Sequence, residues 1–353
     1  MPQVVFAKNG DGFARKGFGG YGRVRVHRIR KNRWELGGNQ MSRVFVIPDI
    51  HLKPWILDKA EEELSKAEYD HIVFLGDLVD DWNQGENPGL YRETFDAVVR
   101  FIEKHPNVFF CYGNHDISYE WDALETGYSP TAKTTVLDGL SAIREILSAE
   151  KIAFVHRIDN VLFSHAGLMK EFVDEFVPGD HENLDDAIGK VNSFGKDELW
   201  KDVSPIWARP QYGFMHAYPK GVLQVVGHTP VEKTDYLDGI ITVDNFSTFS
   251  NGMVIGDQRF IWVDTITMQW GFTDKGDVPE ELPDARLDYR NYSRGDRVTF
   301  RMNVRGTDAE ELHEGTVTSI DRFPSGEATI DVKGKDCYYK HISLHAVVEH
   351  SGG

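Results

Sequence analysis

Only two cysteines, Cys111 and Cys337, occur in 353 residues. That is too few for a disulfide framework, so an apolar core must hold the fold. No apolar run reaches the roughly 18–20 residues that a membrane-spanning helix needs. The first residues are basic and Gly-rich and lack the apolar centre of a signal peptide. Excess positive charge is also missing: the formal net charge of −17 disfavours general affinity for nucleic acid or an anionic membrane. These absences point to the cytoplasm. What is present is ordinary for a folded chain, with 41% hydrophobic and 12% aromatic residues, and the length suits one large domain plus a smaller one.

The charge is unevenly spread. Residues 1–40 carry nine Lys or Arg against two acids, Asp11 and Glu35, and read as a Gly-rich tail with at most one short strand, "GRVRVHRIR". Such a segment could serve as an arm for nucleic acid or an acidic partner, or be a disordered leader ahead of Met41, where the first convincing strand opens.

From Met41 the pattern changes. "SRVFVIPDIH", "HIVFLGDL", "NVFFCYGNHD", "NVLFSHAGL" and "LQVVGHTPV" are short apolar runs that each end in Asp, Asn or His, and each reads as a buried strand. Helical spacing in "ILDKAEEELSKAEYD" and "GLYRETFDAVVRFIEKHP" separates the first three. That alternation implies a parallel sheet with ligands gathered at its carboxyl ends. Later runs, "GIITVDNF", "NGMVIGDQRF" and "IWVDTITMQWGF", are expected to be hairpins of a second sheet. An α/β sandwich fits the whole.

The polar residues at these strand ends are Asp49 and His51, Asp77 and Asp80, Asn114 and His115, His165, and His228. Carboxylates, an amide oxygen and imidazoles form a mixed donor set suited to divalent Mn, Fe or Zn. It also explains why "HIVFLGDLVDDW" ends a core strand in carboxylates, since a carboxylate between two cations becomes a ligand instead of a buried repulsion.

The blocks "PDIH", "GDLVD", "GNHD", "SHAG" and "GHTP", in that order, resemble the five blocks of the calcineurin-like metallophosphoesterases. The "HAGL" and "GHTP" forms, with "SPIWARP" between them, are most similar to bacterial and phage phosphoprotein phosphatases, a branch that includes diadenosine tetraphosphatase-like enzymes. The resemblance covers about 42–270. It implies a β-sandwich flanked by helices, two divalent metal ions, and hydrolysis of phosphate esters by a hydroxide bridging the metals. It further implies that Asp49 and His51 bind the first metal, that Asp77 bridges, and that Asn114, His165 and His228 complete the second site. His115 would be the general acid and Asp80 would orient it.

Substrate phosphate also calls for a cationic clamp, and Arg209 in "SPIWARP" is the candidate. The chain departs from the phosphoprotein phosphatases at Asp81 and Trp82, where that branch has Arg and Gly, the Arg contacting substrate. A phosphomonoesterase acting on a phosphoprotein or nucleotide is the leading expectation. A nucleotide or nucleic-acid phosphodiesterase, a dinucleotide polyphosphate hydrolase and a non-catalytic phosphate-binding scaffold are the alternatives. His71, His105, His156, His181 and His216 read as surface or packing residues, and Cys111 as a buried strand residue. Trp200 and Trp207 could line the pocket or pack in the core, and "VDNF" has no assigned role. The segments 128–157 and 170–204 read as helical insertions between site strands.

The catalytic region is expected to span 41–275, followed by a linker at 276–292. Residues 293–353, with "GDRVTF" and "GTVTSI" among short strands and turns, are loosely similar to a Src-homology-3-like β-barrel. This module is expected to bind a partner or play a structural part.

Overall fold

The computed structural model describes residues 42–179, 183–212, 215–281, 288–303, 310–322, 328–335 and 337–351. The basic segment 1–40 and His181 lie outside them. From Arg43 the chain runs β1 (Arg43–Ile47), α1 (Trp55–Leu64), β2 (His71–Phe74), α2 (Pro88–Lys104), β3 (Val108–Cys111), α3 (Asn114–Ser118), α4 (Lys133–Ile146), β4 (Ile152–Ala153), β5 (Val155–Ile158) and β6 (Val161–Ser164). It continues through α5 (Lys170–Phe176), α6 (Leu184–Asn192), α7 (Lys196–Leu199), β7 (Leu223–Val226), β8 (Asp235–Leu237), β9 (Ile240–Thr242), β10 (Ile261–Asp264) and β11 (Trp270–Phe272). No helix among the described residues is long and apolar enough to cross a membrane.

Two sheets form the sandwich, in the orders β11-β10-β1-β2-β3-β4 and β5-β6-β7-β9-β8. Within the first, β1, β2, β3 and β4 are parallel; within the second, β6, β7 and β9 are parallel. The strands are buried on both faces, which is why they read as continuous apolar runs. Alternate side chains go to different cores. Val44, Val46 and Val73 meet Val161, Phe163, Val225 and Ile241 between the sheets, while Phe45, Ile47, Phe74 and Phe110 pack under the helices. Each such buried side chain contributes about 1.5–3 kcal/mol.

Helix α2 illustrates the local code. Asn87 caps it by accepting from Leu90 N, Pro88 opens it, and Tyr91, Thr94, Phe95, Val98, Phe101 and Ile102 form its buried face. It stops at His105, ahead of Pro106.

Two expectations need correction. The "IWVDTITMQWGF" run does form a hairpin, β10–β11, but β10 pairs with β1 and so extends the first sheet. The run "NGMVIGDQRF" forms no strand beyond an isolated bridge of Val254 to Thr248, because its glycines and polar residues interrupt the alternation a strand needs.

After a turn at Tyr289–Asn291, β12 (Arg297–Asn303), β13 (Glu310–Arg322), β14 (Ala328–Lys333), β15 (Tyr338–Ser343) and β16 (Val347–Ser351) form an antiparallel sheet in the order β15-β14-β13-β12-β16. It has its own core of Val298, Phe300, Val317, Ile330, Val332 and Leu344. Arg290 pairs with Asp235 of β8 at 2.6 Å, an ion pair between the turn and the second sheet.

Candidate metal centre

The loops after β1, β2, β3, β6 and β7 carry the polar residues. Ile50 N and His51 N both donate to Asp77 O at 2.9 Å, which ties the first loop to the second. Asp116 ties the second to the third: its carboxylate accepts from Asp77 N at 2.8 Å, Leu78 N at 2.9 Å and Gly113 N at 3.0 Å. These bonds hold an unusual backbone. His51, Asp77, Asp80 and His228 all have left-handed φ, at 44°, 50°, 63° and 65°, a conformation non-glycine residues keep only when their surroundings enforce it. Gly113 and Gly227 are needed for close approach, since a Cβ on either would overlap a carboxylate oxygen of Asp77 or Asp49 respectively.

Six side chains converge in two groups that share Asp77. In one, His51 Nε2 lies 3.9 Å from Asp49 Oδ2 and 3.7 Å from Asp77 Oδ2. In the other, His165 Nε2 lies 2.9 Å from Asn114 Oδ1, 3.1 Å from His228 Nδ1 and 3.2 Å from Asp77 Oδ2. Backbone carbonyls set the ring orientation. His51 Nδ1 faces Asp80 O at 2.8 Å and His165 Nδ1 faces Leu75 O at 2.8 Å, so each Nδ1–H is donated away and each Nε2 lone pair points inward.

The electrostatics fit divalent cations. Asp49, Asp77, Asp80 and Asp244 are all buried, and Asp49 Oδ1 and His228 Nε2 have no hydrogen-bond partner among the described residues. Burial opposes the charge of Asp77, but the imidazoles of His165 and His115 hold its carboxyl well below the usual range. Burial likewise opposes protonation of His165, yet Asp77 raises its pKa to about 9. Burial, with the charge of Asp244, pushes Asp49 well above its ordinary value. A pocket that draws protons onto its own ligands is one that cations would stabilise. Asp49, His51 and Asp77 would hold one ion; Asp77, Asn114, His165 and His228 would hold the other.

His115 stands beside this pair, its ring centroid 5.2 Å from that of His51. Its Nδ1 lies 3.0 Å from Asp80 Oδ2. Asp80 Oδ1 accepts from Tyr91 at 2.8 Å and from Tyr119 at 2.6 Å. Burial disfavours the charged imidazole, but Asp77 and the Asp80 bond outweigh it and raise the His115 pKa to about 9. Arg209 donates Nη1 to His228 O at 3.3 Å and Thr229 Oγ1 at 3.1 Å, and its charge helps burial and His165 lower the pKa of His228.

Sequence reasoning passed over several residues here. Tyr91 and Tyr119 lie outside the motif blocks, and only the fold brings their hydroxyls to Asp80. Asp116 stands inside "GNHD", and its part in tying the loops together shows only in the fold, where three backbone N–H groups donate to it. Asp244, from "VDNF", is close enough to influence Asp49 and His51. Lys53, two residues past His51, places Nζ 3.1 Å from Asp81 Oδ2.

The remaining candidates lie away from the centre or behind it. His71 opens β2, and His105 pairs with Glu61 at 3.0 Å. His156 bonds to Phe110 O in the interior, and His216 pairs with Glu171 on the surface. Burial pushes the Cys111 thiol up, which keeps it protonated and unreactive. Trp207 packs edge-on to His228 at 5.6 Å and to Trp200 at 5.1 Å, backing a ligand with aromatic surface.

The family model for the calcineurin-like phosphoesterase matches residues 42–256. The chain therefore belongs to that family and is a metal-dependent phosphoric ester hydrolase. Among solved structures it resembles a metallophosphoesterase from Sphaerobacter thermophilus (14% identity, 70% of this chain and 92% of that one, TM-score 0.32). It also resembles Yfce, a phosphoesterase from E. coli (14%, 63% and 88%, TM-score 0.27), and an archaeal phosphodiesterase (12%, 67% and 99%, TM-score 0.30). No curated protein matches.

Proposed function

We propose that the protein hydrolyses phosphate esters at a dinuclear centre built on Asp77, with Asp49 and His51 on one side and Asn114, His165 and His228 on the other. The observation that carries this reading is the convergence of five carboxylate and imidazole donors into two groups sharing the Asp77 carboxylate, with the Asn114 amide oxygen against the second group. Bound cations would neutralise phosphoryl oxygens and activate water; the carboxylate, amide and imidazole donors suit Mn, with Fe or Zn as alternatives.

The chain's own groups do the rest. His115, with Nδ1 held by Asp80, keeps Nε2 free to give a proton to the departing ester oxygen, and its raised pKa keeps that proton available at neutral pH. Tyr91 and Tyr119 spend Asp80's second oxygen, so Asp80 stays a fixed acceptor and does not compete for solvent. Arg209, anchored on the loop of His228, presents a guanidinium to phosphoryl oxygens.

The motif blocks favour a phosphoprotein-phosphatase-like monoesterase. A phosphodiesterase is the second reading, favoured by the ion pair at Asp81. The deciding assay is turnover of para-nitrophenyl phosphate and its bis-ester by metal-stripped protein with manganese restored. Metal-dependent turnover of either ester supports hydrolysis; two bound metals with no turnover of either would overturn it.

A further inference from the structure

A chain of side-chain contacts joins the C-terminal sheet to the cationic clamp. Arg290 stands between Tyr289 and Tyr292, and both tyrosines pack in the core of that sheet. Its guanidinium is gripped by two carboxylates. Nη1 and Nη2 reach Asp235 at 2.6 and 3.2 Å, while Nε and Nη2 reach Asp288 at 3.0 and 2.7 Å. Asp235 opens β8, the edge strand of the second sheet and three residues long, too short to be held firmly by its own pairing.

Asp235 lies directly opposite Thr242 of β9, and opposite residues put their side chains on one face of a sheet. On that face Thr242 is buried, and its Oγ1 accepts from Gln211 Nε2 at 2.7 Å. Ile240, two residues before Thr242, shares the face and packs with Val226 and Ala208 in one apolar cluster. Arg209 is therefore flanked by two anchors on β9, Ala208 just before it and Gln211 two residues after. Its own Nη1 reaches Thr229 Oγ1 and the carbonyl of His228. A long side chain that must meet a phosphoryl oxygen gains from such fixing, because less rotamer freedom is then lost on binding.

We infer that the C-terminal sheet positions the clamp: Arg290 locks Asp235 and with it the β8–β9 hairpin, which holds the segment 208–211 so that Arg209 faces substrate phosphate. The inference rests on the role proposed above for Arg209. Arg290 is a positioning residue, acting through Arg209 and touching no substrate. In this arrangement the two cations carry most of the phosphate charge, and the guanidinium adds affinity and orientation. Loosening Arg290 therefore weakens phosphate binding and spares the metal ligands, none of which it touches.

The test compares wild type, Arg290→Gln, Arg290→Lys, Thr242→Val, the Arg290→Gln, Thr242→Val double variant and Arg209→Ala as manganese-loaded full-length proteins. Metal content and circular dichroism are measured for each. The readouts are kcat and KM for the faster of para-nitrophenyl phosphate and its bis-ester, and isothermal titration with inorganic phosphate. Arg290→Gln is expected to keep two metals, to change kcat less than KM, and to raise KM and weaken phosphate binding about three- to thirtyfold. Arg290→Lys keeps the charge without the fork and should fall between Arg290→Gln and wild type. Thr242→Val should weaken phosphate binding as well, and the double variant should be no weaker than the weaker single one, since both substitutions break the same chain of contacts. A folded Arg290→Gln protein with unchanged KM and phosphate affinity, loss of metal in that variant, or additive losses in the double variant would each overturn the inference. Unaltered phosphate affinity in Arg209→Ala would instead defeat the clamp role on which it rests. If neither ester turns over with two metals bound, the hydrolase reading fails and the phosphate titration decides the positioning by itself.

Discussion

Tyr119 donates its phenolic hydrogen to Asp80 Oδ1 at 2.6 Å, while the other Asp80 oxygen faces His115 at 3.0 Å. The backbone of Ser129 donates to the same Tyr119 oxygen at 2.8 Å, so the hydroxyl is held from behind. Removing it leaves a buried carboxylate oxygen with Tyr91 as its remaining donor. Tyr119→Phe is expected to cost about 1–3 kcal/mol of stability and to lower kcat more than it raises KM. Urea unfolding and steady-state kinetics check both. Unchanged kcat would mean Asp80 is held well enough by Tyr91.

His115 is expected to act as a proton donor. His115→Ala should lower kcat by roughly 10²–10⁴-fold while two metals remain bound, as metal analysis would verify. The loss should shrink for esters with acidic leaving groups, which need no proton.

The pH profile follows from the sign of the shift. Asp77 and the Asp80 bond raise the His115 pKa to about 9 against the opposing effect of burial, so the imidazole keeps its proton through neutral pH and loses it as pH rises. Asp80→Asn removes part of what raises it. The alkaline limb of kcat should therefore move to lower pH in that variant, and an unmoved limb would assign it to another group.

Metal-free protein should be less stable at alkaline pH than near pH 6. Burial opposes protonation of His165 and His115, yet Asp77 raises both to about 9, and burial raises the Asp49 and Asp244 carboxyls in the same proton-binding direction. The folded state thus binds more protons than the unfolded one, and that stabilisation is lost as pH rises through the folded-state pKa. Cations replace those protons. Manganese at 100 times its dissociation constant should add about 2.7 kcal/mol, with a larger Tm increase at pH 8 than at pH 6. Differential scanning fluorimetry at both pH values measures this, and an equal increase at both would argue against competition with protons.

Gly227→Ala should reduce metal content while leaving the secondary structure intact. The added Cβ would overlap the Asp49 oxygen that faces it, displacing a ligand without touching either sheet's core. Metal analysis alongside far-ultraviolet circular dichroism separates this outcome from unfolding.

What the sequence determined by itself is local and repetitive. Strand after strand announces itself as an apolar run, because burial on both faces leaves no polar alternation, and each run ends in a donor residue because the chain must leave the core there. Asp49, His51, Asp77, Asn114, His165 and His228 were legible for that reason. The hairpin β10–β11 was legible as a hairpin, but its place beside β1 was not, since sheet order depends on pairings between residues some 200 positions apart. The same holds for the charges and hydroxyls that tune the centre. Asp81 read in isolation is a lost clamp; folded, it is the partner of Lys53, 28 residues earlier. Tyr91 and Tyr119 meet on Asp80 from two different helical segments. Such contacts belong to no periodicity and no motif, and only the tertiary structure, by bringing distant loops to one end of the two sheets, decided them.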